Sequence, residues 1–415
     1  MPESPSPEKT STSVARLRLK PNRHFPFHAR HPWVHAHALA DLGNELKAGE
    51  IVELLDHDGN WIARGLINPG SRLRVRLYSF HQDLQIGDDL WRQRIDSAIA
   101  RRRRIPAGAP GGDPADQAQR LVFSESDLFS GLIVDRYADC LSVQLTAGAL
   151  LPWRSLIIDH LRQATGCRAV KVRMDEKTAK HENIEPFDDW ISEDGADAAS
   201  DGIVEYLQNG LLWSVDLRTG QKTGSYLDQR VNHRVAAGYL TGRKVLDVCC
   251  YHGGFGLVAA KSGAESVLGI DSSNVALENA QKNADRNELS GIQFLQDDCF
   301  DALKRLGDEG RRFDAVVLDP PRFAGSRHQV DAAMRAYRRL NSLALDLLPS
   351  GGILVTCSCS GRVTRADFHT MLGEVGKRKR RDLILMETRG PSADHPVAAA
   401  CFESDYLKCV IAEVV

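Results

Sequence analysis

The chain lacks any apolar run approaching the roughly 20 residues that a membrane-spanning helix needs, so no membrane span is expected. It also lacks an ordered cysteine framework: its nine cysteines are odd in number and irregularly spaced, which excludes a disulfide scaffold and points to free thiols. Met1 to Ser13 is polar, Pro/Ser-rich and without the apolar segment of a signal peptide; a flexible start and a reducing, cytoplasmic location are expected. There is no excess of one charge, since 53 Lys and Arg stand against 55 Asp and Glu, a formal −2. No global basic field therefore announces a nucleic-acid partner, and only local patches can. There is no internal repeat.

What is present is an ordinary globular composition, 42% hydrophobic and 26% charged, over 415 residues. Single cores stop growing at about 250–300 residues, so two or three domains are expected. The pattern divides the chain into a flexible stretch 1–13, a β-rich unit 14–80, an α+β unit 81–200 and an α/β unit 201–415. In the first unit, the turn signals His57-Asp58-Gly59-Asn60 and Asn68-Pro69-Gly70-Ser71 bracket the strand-like runs IVELLD, WIARGLI and RLRVRLYSF. In the last run the period of two sets Leu73, Val75 and Leu77 on one face and Arg72, Arg74 and Arg76 on the other. That arginine face is either solvated or a surface for RNA phosphates.

Asp88 to Arg104 reads as a helix with Trp91, Ile95 and Ile99 on one side; its terminal Arg101 to Arg104 run either contacts phosphate or complements the helix dipole. Ala107 to Gln117 is loop-like, Leu132 to Tyr137 and Leu141 to Leu145 form a hairpin, and Leu150 to Ala164 is helical. Glu193 to Gly202 is a turn-rich hairpin loop or linker, with the domain boundary near Asp201. Beyond it, seven strand-like runs beginning at Lys244, Ser266, Ile292, Phe313, Gly352, Asp382 and Tyr406 alternate with helical stretches. Such alternation specifies a mostly parallel sheet with helices on both faces.

The first of these strands runs into VLDVCCYHGGFG, a glycine-rich turn that opens a helix. Such a turn lets a ligand approach the backbone beside a helix N-terminus. Asp271 stands at the end of the second strand, 24 residues after Asp247, where a carboxylate can hold a ribose diol. Asp297-Asp298-Cys299-Phe300 ends the third strand and adds a polar contact beside an aromatic. The glycines do not follow GxGxxG, so an adenosine ligand without a pyrophosphate is favoured over a dinucleotide, and S-adenosylmethionine fits that description. After the fourth strand, Asp319-Pro320-Pro321 forces the chain out of the sheet at its carboxyl edge, where ligands bind in open α/β sheets.

The fifth strand ends in Thr356-Cys357-Ser358-Cys359-Ser360-Gly361. Cys357, inside the strand, reads as a small buried hydrophobe; Cys359, at its end between serines, reads as a thiolate nucleophile. Cys357, Cys359, Cys401 and Cys409 form C-x-C and C-x7-C pairs, and Cys249-Cys250 point to opposite strand faces, so no metal site is expected.

These segments resemble one family. ESDLFSGLIVDRYADCLSVQL (Glu125 to Leu145), TGQKTGSYLDQRVNHR (Thr219 to Arg234), CCYHGGFG, LDPPRF (Leu318 to Phe323), SCSG (Ser358 to Gly361) and ADHPV (Ala393 to Val397) are similar to the bacterial ribosomal RNA large subunit methyltransferase I family. The resemblance implies an N-terminal PUA domain that binds RNA, a central α+β domain and a class I, Rossmann-like, S-adenosylmethionine-dependent methyltransferase domain that makes 5-methylcytidine in large-subunit rRNA. It implies that Lys222, Thr223, Leu227, Asp228 and Gln229 form an entry segment over the cofactor. Asp247, Tyr251, Gly253 and Gly254 would lie on its methionine side, Asp271 at the ribose and Asp298 at the adenine edge. Cys359 would be the nucleophile, with Asp319 at the target ring and also beside the cofactor. Arg230 would support the entry segment or touch RNA; Arg322 follows the prolines where related enzymes carry a second cysteine, and with Arg72, Arg74 and Arg76 is a candidate RNA contact. The partner implied is rRNA or a ribosomal assembly intermediate, and the sequence leaves a homodimer open. Two other readings are methylation of a guanine nitrogen, because DPPxF also resembles motifs of amine methyltransferases, and an inactive RNA-binding assembly protein using the arginine runs and Lys377 to Arg381.

Overall fold

A computed structural model describes residues 14–106, 112–192, 202–218, 223–325 and 327–415. The expected flexible start, and nearly all of the turn-rich Glu193 to Gly202 stretch, lie outside the described residues.

The first unit comprises β1 (Ala15–Arg18), α1 (Phe25–His28), β2 (Trp33–His35), β3 (Ile51–Leu55), β4 (Trp61–Ile67) and β5 (Leu73–Ser79). Its five strands form one sheet in the order β1-β3-β4-β5-β2, with β1 parallel to β3 and the other pairs antiparallel. Val75 and Leu77 enter the core with Leu54 and Ile67, as the period of two requires. The opposite face is not solvated. Only Arg72 is exposed; Arg74 and Arg76 are buried. Arg76 donates to Ser130 Oγ at 3.1 Å and Thr146 O at 2.8 Å and pairs with Glu125 and Glu182, while Arg74 donates to Pro69 O. The expected three-arginine RNA face is corrected here: alternation chose the side of the strand, but another domain covers that side.

The second unit comprises α2 (Asp88–Arg103), β6 (Ala118–Phe123), β7 (Leu132–Tyr137), β8 (Cys140–Leu145), α3 (Arg154–Thr165), β9 (Ala169–Met174), α4 (Glu176–Glu182) and β10 (Phe187–Ser192). Its sheet runs β10-β9-β8-β7-β6, and α2 and α3 share a core with it. Trp91 of α2 is fully buried, stacked on Phe129 at 4.9 Å and edge-on to Tyr78 of β5 at 5.1 Å, which joins the two units through apolar contact. A hairpin, β11 (Ile203–Gln208) and β12 (Leu211–Asp216), packs Trp213 and Tyr206 into a cluster shared with Tyr137 and with Leu257 of the third unit.

The third unit comprises α5 (Arg230–Leu240), β13 (Lys244–Val248), α6 (Gly254–Lys261), β14 (Ser266–Asp271), α7 (Asn274–Arg286), β15 (Ile292–Gln296), α8 (Cys299–Asp308), β16 (Ala315–Leu318), α9 (Val330–Leu347), β17 (Gly352–Ser358), α10 (Arg365–Lys379), β18 (Leu383–Arg389) and β19 (Lys408–Val414). The sheet order is β15-β14-β13-β16-β17-β19-β18. The first five strands are parallel, and β19 runs antiparallel to both neighbours. The order reverses between β13 and β16, which opens a crevice at their carboxyl ends.

Parts of the basic runs serve the fold. Arg102 is buried and donates to Arg120 O at 2.8 Å, Asp127 at 2.5 Å and Asp394 O at 2.7 Å, so it clamps the second unit to the third rather than binding phosphate or only facing a helix dipole. Of the later run, Lys379 pairs with Asp346 at 2.6 Å and Arg381 donates to Leu348 O at 3.2 Å. Asp394 is fully buried and accepts from the Arg120 amide at 2.9 Å, pairs with Arg230 at 3.2 Å and meets His395 at 3.0 Å. Burial pushes its carboxyl up, but His395, Arg230 and the Arg120 amide more than reverse this and leave it well below the usual range. Its stabilisation is thus present above the ordinary carboxylate pKa and is lost as pH falls through the depressed one. Asp394→Asn leaves buried cations uncompensated and is expected to cost about 3–5 kcal/mol at neutral pH. Urea denaturation checks this, and the difference from wild type should narrow at strongly acid pH.

Candidate active site

The site lies at the carboxyl ends of β13, β14, β15, β16 and β17. After β13 the backbone turns sharply through Cys249 (φ 62°), Tyr251 (φ 51°) and Gly253 (φ 84°) before α6 begins. A side chain at Gly254 would put its Cβ 2.4 Å from the His233 ring, so that glycine is required by packing of α5 on α6. At Gly256 a Cβ would meet Asp247 Oδ2 at 3.0 Å, and its amide donates to that same oxygen at 2.8 Å. Asp247 is 1% exposed, and its Oδ1 has no partner. Burial lifts its carboxyl to about 7, against the lowering pull of the Gly256 amide.

Asp271 is half-buried and ties the turn to β14: it accepts from the Tyr251 amide and the Ser273 amide, each at 2.9 Å. Each oxygen keeps a further lone pair, which suits a vicinal diol. Asp298 is exposed and caps α8, one oxygen accepting from the amides of Phe300 at 2.8 Å and Asp301 at 3.2 Å. Between these ends the Cys249 and Cys299 thiols face each other. Their hydrogen bond is the largest influence on both, raising the pKa of Cys249 and lowering that of Cys299. The sequence pairs Cys249 with its neighbour Cys250 in name only; the fold pairs it with Cys299.

Parallel pairing of β16 with β17 brings Cys359 to the Asp319-Pro320-Pro321 turn, with Sγ 3.8 Å from Pro320 O. Cys359 is half-buried, whereas Cys357 is fully buried, opposite Cys409 in register and part of an apolar cluster. Asp319 Oδ1 accepts from Gln229 Nε2 at 3.0 Å, and Gln229 Oε1 accepts from Asn232 at 2.7 Å. Arg322 is exposed on the loop that follows.

The segment before α5 is anchored from both sides. Thr223 Oγ1 donates to Asp135, Leu227 is buried in the cluster shared with the hairpin, and Asp228 accepts from the Tyr406 hydroxyl. Gln229 reaches the Asp319 turn. Arg230 is 1% exposed and pairs with Asp116 at 3.1 Å and with Asp394, so it supports the segment and does not reach RNA. Lys222 lies outside the described residues.

Sequence reasoning passed over Lys408, Tyr226, Tyr337 and Tyr406, all of which sense the charge of Cys359. A lone lysine within the apolar run YLKCVIAEV was the available signal. It passed over one further grouping too. Among the described residues, His31, Cys401 and Glu403 bring donor atoms within 4.8 Å of one another. The Trp33 amide donates to His31 Nδ1 at 3.3 Å, so the neutral ring carries its proton on Nε2 and donates to Glu403, also at 3.3 Å. With Cys401 Sγ donating to Glu403 at 3.5 Å, the trio is a hydrogen-bonded stitch between the first unit and the segment before β19. It borders a cavity of about 800 Å³ lined by Trp33, Arg72, Phe123, Lys180 and His181.

Asp247 supplies a pH test. Its folded state holds a proton that the unfolded chain releases, so its contribution to stability declines from the ordinary carboxylate pKa up to about 7 and is constant above. Asp247→Asn should therefore gain on wild type across that window by ~1 kcal/mol or more, read by denaturation at stepped pH in the absence of ligand.

The sequence matches two family descriptions, a PUA-like domain over residues 17–80 and an S-adenosylmethionine-dependent methyltransferase over residues 181–396. A protein of Shewanella denitrificans named ribosomal RNA large subunit methyltransferase I is 37% identical over 405 residues, covering 96% of this chain and 99% of the relative. One of the same name from Tolumonas auensis is 35% identical over 399 residues, covering 96% and 98%. Among solved structures, a methyltransferase complexed with SAH superposes with TM-score 0.81 at 18% identity, covering 96% of this chain and 100% of the other. A SAM-dependent methyltransferase from Streptococcus mutans gives TM-score 0.80 at 18% identity and the same coverage. These two establish the shared fold, no helix among the described residues is long and apolar enough to cross a membrane, and the cofactor is S-adenosylmethionine. By a family match over half its length and relatives of 35–37% identity over nearly all of it, the chain belongs to the S-adenosylmethionine-dependent methyltransferases, in the ribosomal RNA large subunit methyltransferase I family.

Proposed function

We propose that this enzyme forms 5-methylcytidine in large-subunit rRNA, naked or within a ribosomal assembly intermediate, in the cytoplasm, with Cys359 as nucleophile. The observation that carries the reading is the half-buried Cys359 thiol beside the Asp319 turn, while Cys357 is sealed in the core.

The residues fit the cofactor. Asp271 has lone pairs for a ribose diol, Asp298 and Phe300 offer a polar edge and an aromatic face, and the left-handed turn through Tyr251 and Gly253 leads directly into the N-terminus of α6. Bound there, S-adenosylmethionine supplies an electrophilic sulfonium methyl. Cytosine C5 is a weak nucleophile, so the Cys359 thiolate adds to C6 and its electron pair forms the S–C6 bond. The displaced π pair develops as a carbanion at C5, delocalised into the ring, and Asp319, steadied by Gln229, acts in this step in its protonated form, donating from its carboxyl O–H to ring N3 as negative charge builds there. The bound cofactor would supply the methyl group that the C5 pair accepts. Loss of the C5 proton to a base then expels the thiolate and restores the ring. The base must leave its stack to enter the crevice. Arg72, Lys180 and His181, with Trp33, line the nearby cavity and suit phosphate and stacking contacts to the strand outside the site; Arg322 serves the target side.

Incubation with S-adenosylmethionine and unmodified large-subunit rRNA, followed by nucleoside mass spectrometry, should yield new 5-methylcytidine; methylguanosine instead overturns the cytidine reading. Cys359→Ala should lower turnover by at least 10³-fold, on the order expected for a lost covalent nucleophile, and should abolish trapping on 5-fluorocytidine RNA. Asp271→Asn should weaken cofactor binding by about 10- to 100-fold in calorimetry, the equivalent of a charge-assisted hydrogen bond.

A further inference from the structure

Lys408 is the first residue of β19 and only 2% exposed, although lysine is seldom buried unless paired. Register places it opposite Ser358, with Cys409 opposite Cys357. Since Cys357 and Cys409 point together into the apolar cluster, Ser358 and Lys408 project to the other face of the sheet, toward the end of β17 that carries Cys359. Its Nζ donates to Ser360 O at 2.7 Å and Tyr406 O at 2.8 Å, so the ammonium is held by the carbonyl directly after the nucleophile. Among the described residues no carboxylate stands within ion-pair distance, 4.0 Å, of that nitrogen.

Two neutral carbonyls do not neutralise a buried cation. The charges that face Lys408 are Cys359 from the end of β17, Asp405 from the segment before β19, and Arg365 and Asp367 from α10. Burial lowers its ammonium to about 8, with Cys359 the largest opposing influence. The other groups that sense Cys359, the phenols of Tyr226, Tyr337 and Tyr406, are neutral at working pH, each raised by burial.

We infer that Lys408 is the positioning residue of the nucleophile: a buried ammonium, fixed by the Ser360 and Tyr406 carbonyls, whose counter-ion is the Cys359 thiolate. The inference rests on Cys359 being the attacking sulfur. In forming the pair the S–H bond breaks, its proton passes to solvent, and the ammonium keeps all three of its protons. Thiolate released at the end of turnover returns to the same cation, so no separate activating base is needed for attack.

Alkylation of Cys359 by iodoacetamide, followed by peptide mass spectrometry across pH 5–10 with Cys359→Ser as background, reads the thiolate without turnover. Wild type should titrate below the ~8.5 of a free thiol. Lys408→Met should raise the midpoint by at least one pH unit and lower kcat about tenfold at neutral pH, with activity recovering as pH rises and KM for S-adenosylmethionine unchanged. Lys408→Arg, which keeps the charge, should restore most of the shift. Should Lys408→Met not fold, Lys408→Gln keeps a donor for Ser360 O without the charge and is read the same way. An unchanged midpoint in the folded uncharged variant overturns the inference. The proposed reaction fails separately, if Cys359→Ala retains methyl transfer, and that result leaves the alkylation midpoint readable.

Discussion

The entry segment is tied to the rest of the molecule through a buried carboxylate, Asp394, that belongs to the catalytic unit and is held both from within it and from the central unit. Arg120 gives it a backbone amide, Arg230 a guanidinium and Arg102 grips its carbonyl. Arg230 opens α5, directly after the entry segment. Asp135 in turn holds both Arg120 and Thr223. A charge cluster of this kind is costly to desolvate and expensive to break singly, so it imposes one geometry on the parts that share it. It is therefore the joint through which the central sheet sets the position of Gln229 over Asp319.

Burial sets the direction of the site's own electrostatics. The catalytic crevice collects acids at the ends of parallel strands, and the cations that could neutralise them are spent elsewhere in the scaffold. Asp247, sealed from water, keeps its proton to about 7, and Asp271 accepts two backbone amides. The sulfur end of the crevice has the opposite character, with a buried lysine facing a half-buried thiol. One crevice thus joins environments of different sign, carboxylates at the ends of β13 and β14 and a buried ammonium beyond the end of β17.

Much of the catalytic sheet was legible. Runs such as SVLGID and GILVTCS became β14 and β17 with the expected ends, because short β-rich runs bounded by glycine and acidic turns leave the chain few alternatives. The strand-end residues Asp271, Asp319 and Cys359 were legible for the same reason. Misjudged were the basic segments: Arg74, Arg76 and Arg102 looked like an outer surface and are interior donors, Arg76 and Arg102 to carboxylates and Arg74 to the Pro69 carbonyl. Alternation and charge runs report which side of an element is polar. They do not report whether that side meets water or another domain's carboxylates.

By itself the sequence determined the order of strands and turns, the glycine-rich loop and the residues at each strand end, since these follow from local periodicity and backbone sterics. Only the tertiary structure decided which distant groups became neighbours: Cys249 with Cys299, Thr223 with Asp135, Arg230 with Asp394, and Lys408 with the carbonyl next to Cys359. The physical reason is that burial and charge pairing are properties of three-dimensional proximity. A lysine in an apolar strand acquires its meaning from a carbonyl 48 positions away in the chain.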